Sequence, residues 1–178
     1  MTEAAPFSRV VRVDAIPQEG QTVTIEAAPA EREALASFYD LPAVAALTAT
    51  LRLEPWGRGG ARVTGAVHGA LTQTCVVSLE PFPATVDEAV DVRFAPETAA
   101  ESRPQAAKET TLSLADEDEP DPVIDGKIDL GALAAEFFAL GLDPYPRKPG
   151  ATFEESTESE PADSPFSALA KRAKPASD

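Results

Sequence analysis

Ala61-Arg62-Val63-Thr64-Gly65-Ala66-Val67-His68-Gly69-Ala70-Leu71-Thr72-Gln73-Thr74-Cys75-Val76-Val77-Ser78-Leu79-Glu80 reads as one long alternating stretch. Val63, Val67, Leu71, Cys75, Val77 and Leu79 share one parity, so a pleated strand puts them on one face. The run is long for a single strand, and a bend is predicted at Gly65 or Gly69, with Pro81-Phe82-Pro83 breaking it. Working outward, Trp56-Gly57-Arg58-Gly59-Gly60 supplies a glycine-rich reversal, and Leu47–Glu54 places Leu or Ala at every second position. Residues 30–40 switch to helical spacing: Leu35, Phe38 and Tyr39 fall at i, i+3 and i+4, with Glu31 and Glu33 in the first turn. Residues 7–26 give two short strands around the turn Ile16–Gly20. Val86, Val90, Val92 and Phe94 mark a last strand. Residues 1–95 therefore read as an antiparallel meander, or a partly open barrel, with one helix: an α+β fold.

The rest of the chain alternates between ordered and solvated composition. Residues 96–122 hold four prolines and a run of carboxylates with almost nothing to bury, which predicts a disordered acidic linker. Val123–Ile128 reads as a small hairpin turning at Asp125-Gly126. Asp129 is a good N-cap for a helix carrying Leu130, Leu133, Phe137 and Leu140, and Gly141 is predicted to end it in the left-handed conformation. Leu142–Gly150 is a proline-stiffened strap completing the same domain. Residues 151–163 are a second acidic linker. Residues 164–174 predict a short amphipathic helix, with Ser164 as N-cap, Phe166 and Leu169 on one side, and Lys171 and Arg172 in its last turn.

Over 178 residues the formal net charge is −15. Residues 96–129 contribute a large share, with 3 Lys/Arg against 10 Asp/Glu, net −7. Direct nucleic-acid binding needs Lys and Arg to displace condensed counterions, so this balance opposes it and favours encounters with basic proteins. No apolar run is long enough to span a membrane as a helix, and the N-terminus lacks the pattern of a secretory signal. The expected setting is the cytoplasm. Cys75 is the only cysteine, so an intramolecular disulfide and a multi-cysteine zinc site are both excluded.

Catalysis is hard to build from these residues. His68 is the only histidine and falls on the strand face opposite Cys75, whereas a Cys–His pair must share a side. Gly57, Gly59 and Gly60 lack phosphate-loop spacing, and the carboxylates at 116–121 lack the pattern of a calcium loop. The chain is expected not to be an enzyme and to need no metal or other cofactor. Two segments stand out as candidate partner-binding surfaces: Tyr145, Arg147 and Lys148 on the strap, and Phe166, Leu169, Lys171 and Arg172 in the tail. The competing reading is direct RNA binding by a patch of Arg58, Arg62, Arg147, Lys148, Lys171 and Arg172, which requires those residues to converge on one face.

Three stretches resemble the YceD family of bacterial and organellar proteins. They are Val63–Val67 leading to Gln73–Phe82, Gly126–Leu130 with its helix ending in Asp143-Pro144-Tyr145-Pro146-Arg147, and Pro165–Leu169. Gly65, Cys75, Leu79, Asp129, Leu130, Pro144 and Pro146 carry the motif, and the alanine-rich helix and the strap are similar to the alphaproteobacterial branch. The resemblance implies a cytoplasmic factor for accumulation of large-subunit (23S) ribosomal RNA, with ribosomal proteins or assembly factors as expected partners. Many relatives carry Cys-x-x-Cys where this chain has Cys75-Val76-Val77-Ser78, so no metal role carries over.

Overall fold

In the computed structural model, which describes residues 6–96 and 120–152, the alternating stretches become the centre of a five-stranded sheet. The elements run β1 (Val10–Arg12), a single 3-10 turn (Val13–Ala15), β2 (Gln21–Glu26), α1 (Pro29–Phe38), β3 (Ala43–Trp56), β4 (Gly60–Thr74), β5 (Pro81–Pro96), β6 (Asp121–Val123), β7 (Lys127–Asp129) and α2 (Leu130–Leu140). Sheet order is β2-β3-β4-β5-β6, antiparallel except for the parallel β5–β6 pair. A separate ribbon pairs β1 with β7. The fold is α+β and the sheet does not close into a barrel.

Parity decides the layers. Leu47, Ala49, Leu51 and Leu53 of β3, Val63, Val67 and Leu71 of β4, and Val86, Val90 and Phe94 of β5 are buried with α1 and α2 in one core. Thr50, Arg52, His68, Asp87 and Asp91 are exposed on the other face. Tyr39, which caps α1, donates from its hydroxyl to the Ala135 carbonyl at 2.9 Å, joining the helices. Burying Leu130, Leu133 and Phe138 contributes about 1.5–3 kcal/mol for each side chain before ordering costs. Phe38 lies at the helical spacing of Leu35 but is exposed, edge-on to Tyr39.

Four expectations need correction. The strand expected to reach Glu80 stops at Thr74, because residues 75–80 close a turn. Pro81 and Pro83 do not break the chain but begin β5, an edge position where a missing N–H costs no ladder bond. Asp121 and Pro122, assigned by composition to a linker, pair with Phe94 and Ala95. Gly141 has φ −81°, an ordinary helical value. Glycine is needed there for close approach, since a Cβ would sit 2.4 Å from Val86 Cγ1. The hairpin turn at Asp125-Gly126 holds, both residues having positive φ (50° and 70°). Most of the two predicted linkers and the whole tail helix lie outside the described residues.

Asp129 ties the N-terminal segment to α2. Its carboxylate accepts from Ser8 Oγ (2.5 Å), Arg9 N (2.7 Å), Gly131 N (3.0 Å) and Ala132 N (3.2 Å). Burial alone pushes this acid up, but the four hydrogen bonds outweigh it and leave the group below the usual Asp value. A depressed carboxylate adds stability above its unfolded pKa of about 3.9, and that stability is lost as pH falls through the lower folded value. Asp129→Ala is expected to cost about 1–2 kcal/mol near neutrality. In urea titrations, the gap between wild type and Asp129→Ala should narrow below about pH 4. A pH-independent gap would show that the charge plays no part.

Candidate functional site

The turn between β4 and β5 and the strap after α2 are remote in sequence but form one surface. Cys75 N donates to Glu80 O and Leu79 N to Cys75 O, each at 2.9 Å, closing residues 75–80 on themselves. Val77 N and Ser78 N both point at Cys75 Sγ, at 3.4 Å. The strap then crosses this turn. Val76 N donates to Pro146 O (2.9 Å), Gln73 Nε2 to Asp143 O (3.0 Å), and Lys148 Nζ pairs with Glu80 Oε2 (2.8 Å). Asp143-Pro144 lies just beyond the helix end, Asp143 Oδ1 accepts from Tyr145 N at 2.9 Å, and the prolines keep the segment extended.

Of the residues singled out in the sequence, Cys75, Leu79, Pro144, Tyr145, Pro146, Arg147 and Lys148 come together here. Cys75 is buried. Leu79, expected on the core face, is instead 76% exposed, and Tyr145 is 73% exposed. Leu79 also holds φ +59°, a backbone that costs a bulky residue about 1–2 kcal/mol. Gly65, Asp129 and Leu130 serve the fold elsewhere. Sequence reasoning missed Val76, 46% exposed beside Pro146, and Gln73, a buried amide held by the strap. Gln73 did carry a signal: a polar side chain on the inward parity of an apolar strand needs a buried partner.

The basic residues do not converge. Arg58 lies in the β3–β4 turn and Arg62 near the start of β4, whereas Arg147 and Lys148 lie at the turn following its other end. Fifteen residues of strand separate the two ends by about 50 Å. Arg62 is moreover paired with Asp91. Lys171, Arg172, Phe166 and Leu169 lie outside the described residues.

Hydrogen bonds from the Ser78 side chain, then from the Ser78 and Lys148 main chain, lower the Cys75 thiol to about 6, with burial opposing and Val77 N assisting. The residue is buried, and main-chain and hydroxyl groups of the turn and strap act on its sulfur. Thiolate absorbance near 240 nm is expected to rise through about pH 6, and Ser78→Ala to move that midpoint upward. An unshifted midpoint in Ser78→Ala would remove the hydroxyl from this role. As a metal centre the turn does not fit: it offers one thiol and, at the second position, a hydroxyl. Among the described residues no group of three His, Cys, Asp or Glu is placed to hold an ion. His68 is exposed beside Asp87 on the outer face, away from Cys75.

The geometry defines a small α+β protein presenting an apolar and cationic surface built from two distant segments. A family model described as large ribosomal RNA subunit accumulation protein YceD matches residues 63–172, a span holding both segments, and the chain belongs to the YceD family. That description implies a role in large ribosomal RNA subunit accumulation. No curated protein and no solved structure gives a significant match. Among the described residues, no helix is long and apolar enough to cross a membrane.

Proposed function

We propose that the protein is a non-enzymatic cytoplasmic factor that supports accumulation or processing of 23S ribosomal RNA during ribosome assembly, acting through protein contacts. The observation that carries this reading is the junction of turn and strap. Val76, Leu79 and Tyr145 are exposed around a main-chain bond, with Arg147 on the same strap. Tyr and Arg are residue types that anchor protein interfaces, and a proline-restrained backbone presents them with little main-chain freedom left to lose on binding. The net charge of −15 favours basic ribosomal proteins or assembly factors as partners. In this reading the tail residues Phe166, Leu169, Lys171 and Arg172 add a second contact.

The separation of Arg58 and Arg62 from Arg147 and Lys148 weighs against a single RNA-binding patch. The test is co-sedimentation of the tagged chain with ribosomal particles, followed by a salt wash, nuclease digestion and mass spectrometry of what remains bound. A basic protein retained after digestion supports the proposal. Release of everything by nuclease would favour direct RNA contact and overturn it.

A further inference from the structure

The outer edge of β5 is unpaired over most of its length among the described residues. Among the described residues, a strand lies on that side only at Phe94–Pro96, where β6 pairs in parallel with its Asp121–Val123. Strand residues point their main-chain groups alternately to the two sides. Pro122 has no N–H to give, so Ala95 must supply the outward groups in the β5–β6 pair. The prolines at 81 and 83 share the parity of Ala95, as befits positions whose N–H faces away from β4. By that parity Thr85, Asp87, Ala89 and Asp91 also turn their N–H and C=O outward, an unfilled template for another strand.

Charge selects the occupant. Asp87, Glu88 and Asp91 lie along this edge against one cation, Arg93. Asp91 is also held by Arg62 and Asp87 by His68, both of β4, so the edge is acidic on balance. A second copy docked edge to edge about Ala89, the centre of the open stretch, would set Asp87 against Asp91, and directly opposed like charges are unfavourable. The chain's own residues 97–119 carry 7 acidic against 2 basic side chains, and they suit the edge no better. An apolar contact is at hand as well: Leu140 is 69% exposed, one residue before Gly141 packs on Val86 and Glu88. We propose that the Thr85–Asp91 edge of β5 accepts an extended, basic segment of a partner protein as an added strand. This rests on the reading above that the partners are basic proteins, and it gives them a contact separate from the turn and strap.

The probe is a ten-residue peptide of alternating lysine and valine, with a glutamate–valine peptide as control, titrated into the full chain and followed by amide exchange. Saturable binding of the lysine peptide alone is expected, with at least tenfold slower exchange at Thr85, Asp87, Ala89 and Asp91. Ala89→Pro should abolish binding, because it removes an outward N–H and no bond to β4. Should that variant fold poorly, the combined Asp87→Asn, Glu88→Gln, Asp91→Asn variant should weaken binding at least tenfold. The idea is overturned by absence of binding, by equal affinity of the triple variant, or by protection confined to residues 75–80 and 143–148. Protection of those four amides before any peptide is added would likewise overturn it, by showing the edge occupied by the chain itself or by a second copy. None of these readouts involves ribosomal particles, so failure here leaves the test of the proposed function intact.

Discussion

Gly65→Ala is expected to lose about 2–6 kcal/mol of stability, the most severe effect anticipated for any single methyl group in this chain. Gly65 sits mid-strand opposite Leu51 and Val90, with φ +153°, where L side chains are rarely found. A Cβ there would lie 2.1 Å from the Thr50 carbonyl oxygen and 3.0 Å from Leu51 Cα. Both are main-chain atoms of the β3–β4 ladder, so relief means separating two strands paired along almost their whole length. Backbone strain of about 1–3 kcal/mol and overpacking of a similar size act together. Their sum is a large part of the roughly 5–15 kcal/mol that holds a domain folded. Gly57→Ala is the control: its φ is +60°, but nothing lies within 4 Å, so only about 1 kcal/mol is at stake. Equal urea midpoints for the two variants would mean that the approach of Thr50 is not what reserves position 65 for glycine.

What could be read in advance follows the range of the interactions involved. Strand parity is local: Leu47 to Leu53 and Val63 to Leu71 declare their buried face because the pleat repeats every two residues. The cap at Asp129 and the turn at Asp125-Gly126 are local too, set by a side chain within reach of the next N–H groups and by positive φ. Gly141 was legible as a helix end but not for the right reason, since the pressure on it comes from Val86 across the domain. Alternation over residues 7–13 marks β1 as a strand, but nothing local names β7, more than a hundred residues on, as its partner. Nor does alternation tell where a strand leaves its sheet. Cys75, Val77 and Leu79 keep the parity of the core, yet the turn closes beneath them and only Cys75 stays buried. The candidate site was therefore half legible. The strap residues and Cys75 could be chosen from the sequence, but their meeting depends on a bond from Val76 to Pro146 that no local rule anticipates.

Leu79 offers a way to separate structure from recognition, because the two readings predict opposite signs. A leucine held only for folding should not be 76% exposed in a backbone conformation that disfavours it. Leu79→Gly relieves about 1–2 kcal/mol of that conformation, offset by about 0.5–1 kcal/mol of added freedom in the unfolded chain. Thermal and urea stability should therefore stay level or rise slightly. If Leu79 anchors a partner, association with ribosomal particles should fall by about 30-fold, the equivalent of a 2 kcal/mol interface anchor. Tyr145→Ala should reproduce that loss with stability within about 0.5 kcal/mol of wild type, since its ring stands in solvent. Phe38→Ala removes another exposed aromatic, one carried on α1 rather than on the turn or the strap, and should leave association unchanged. Equal losses from all three variants would point to nonspecific apolar adhesion. Wild-type association by Leu79→Gly and Tyr145→Ala, with both proteins folded, would confine the turn and strap to a structural role and move partner recognition to another face of the molecule.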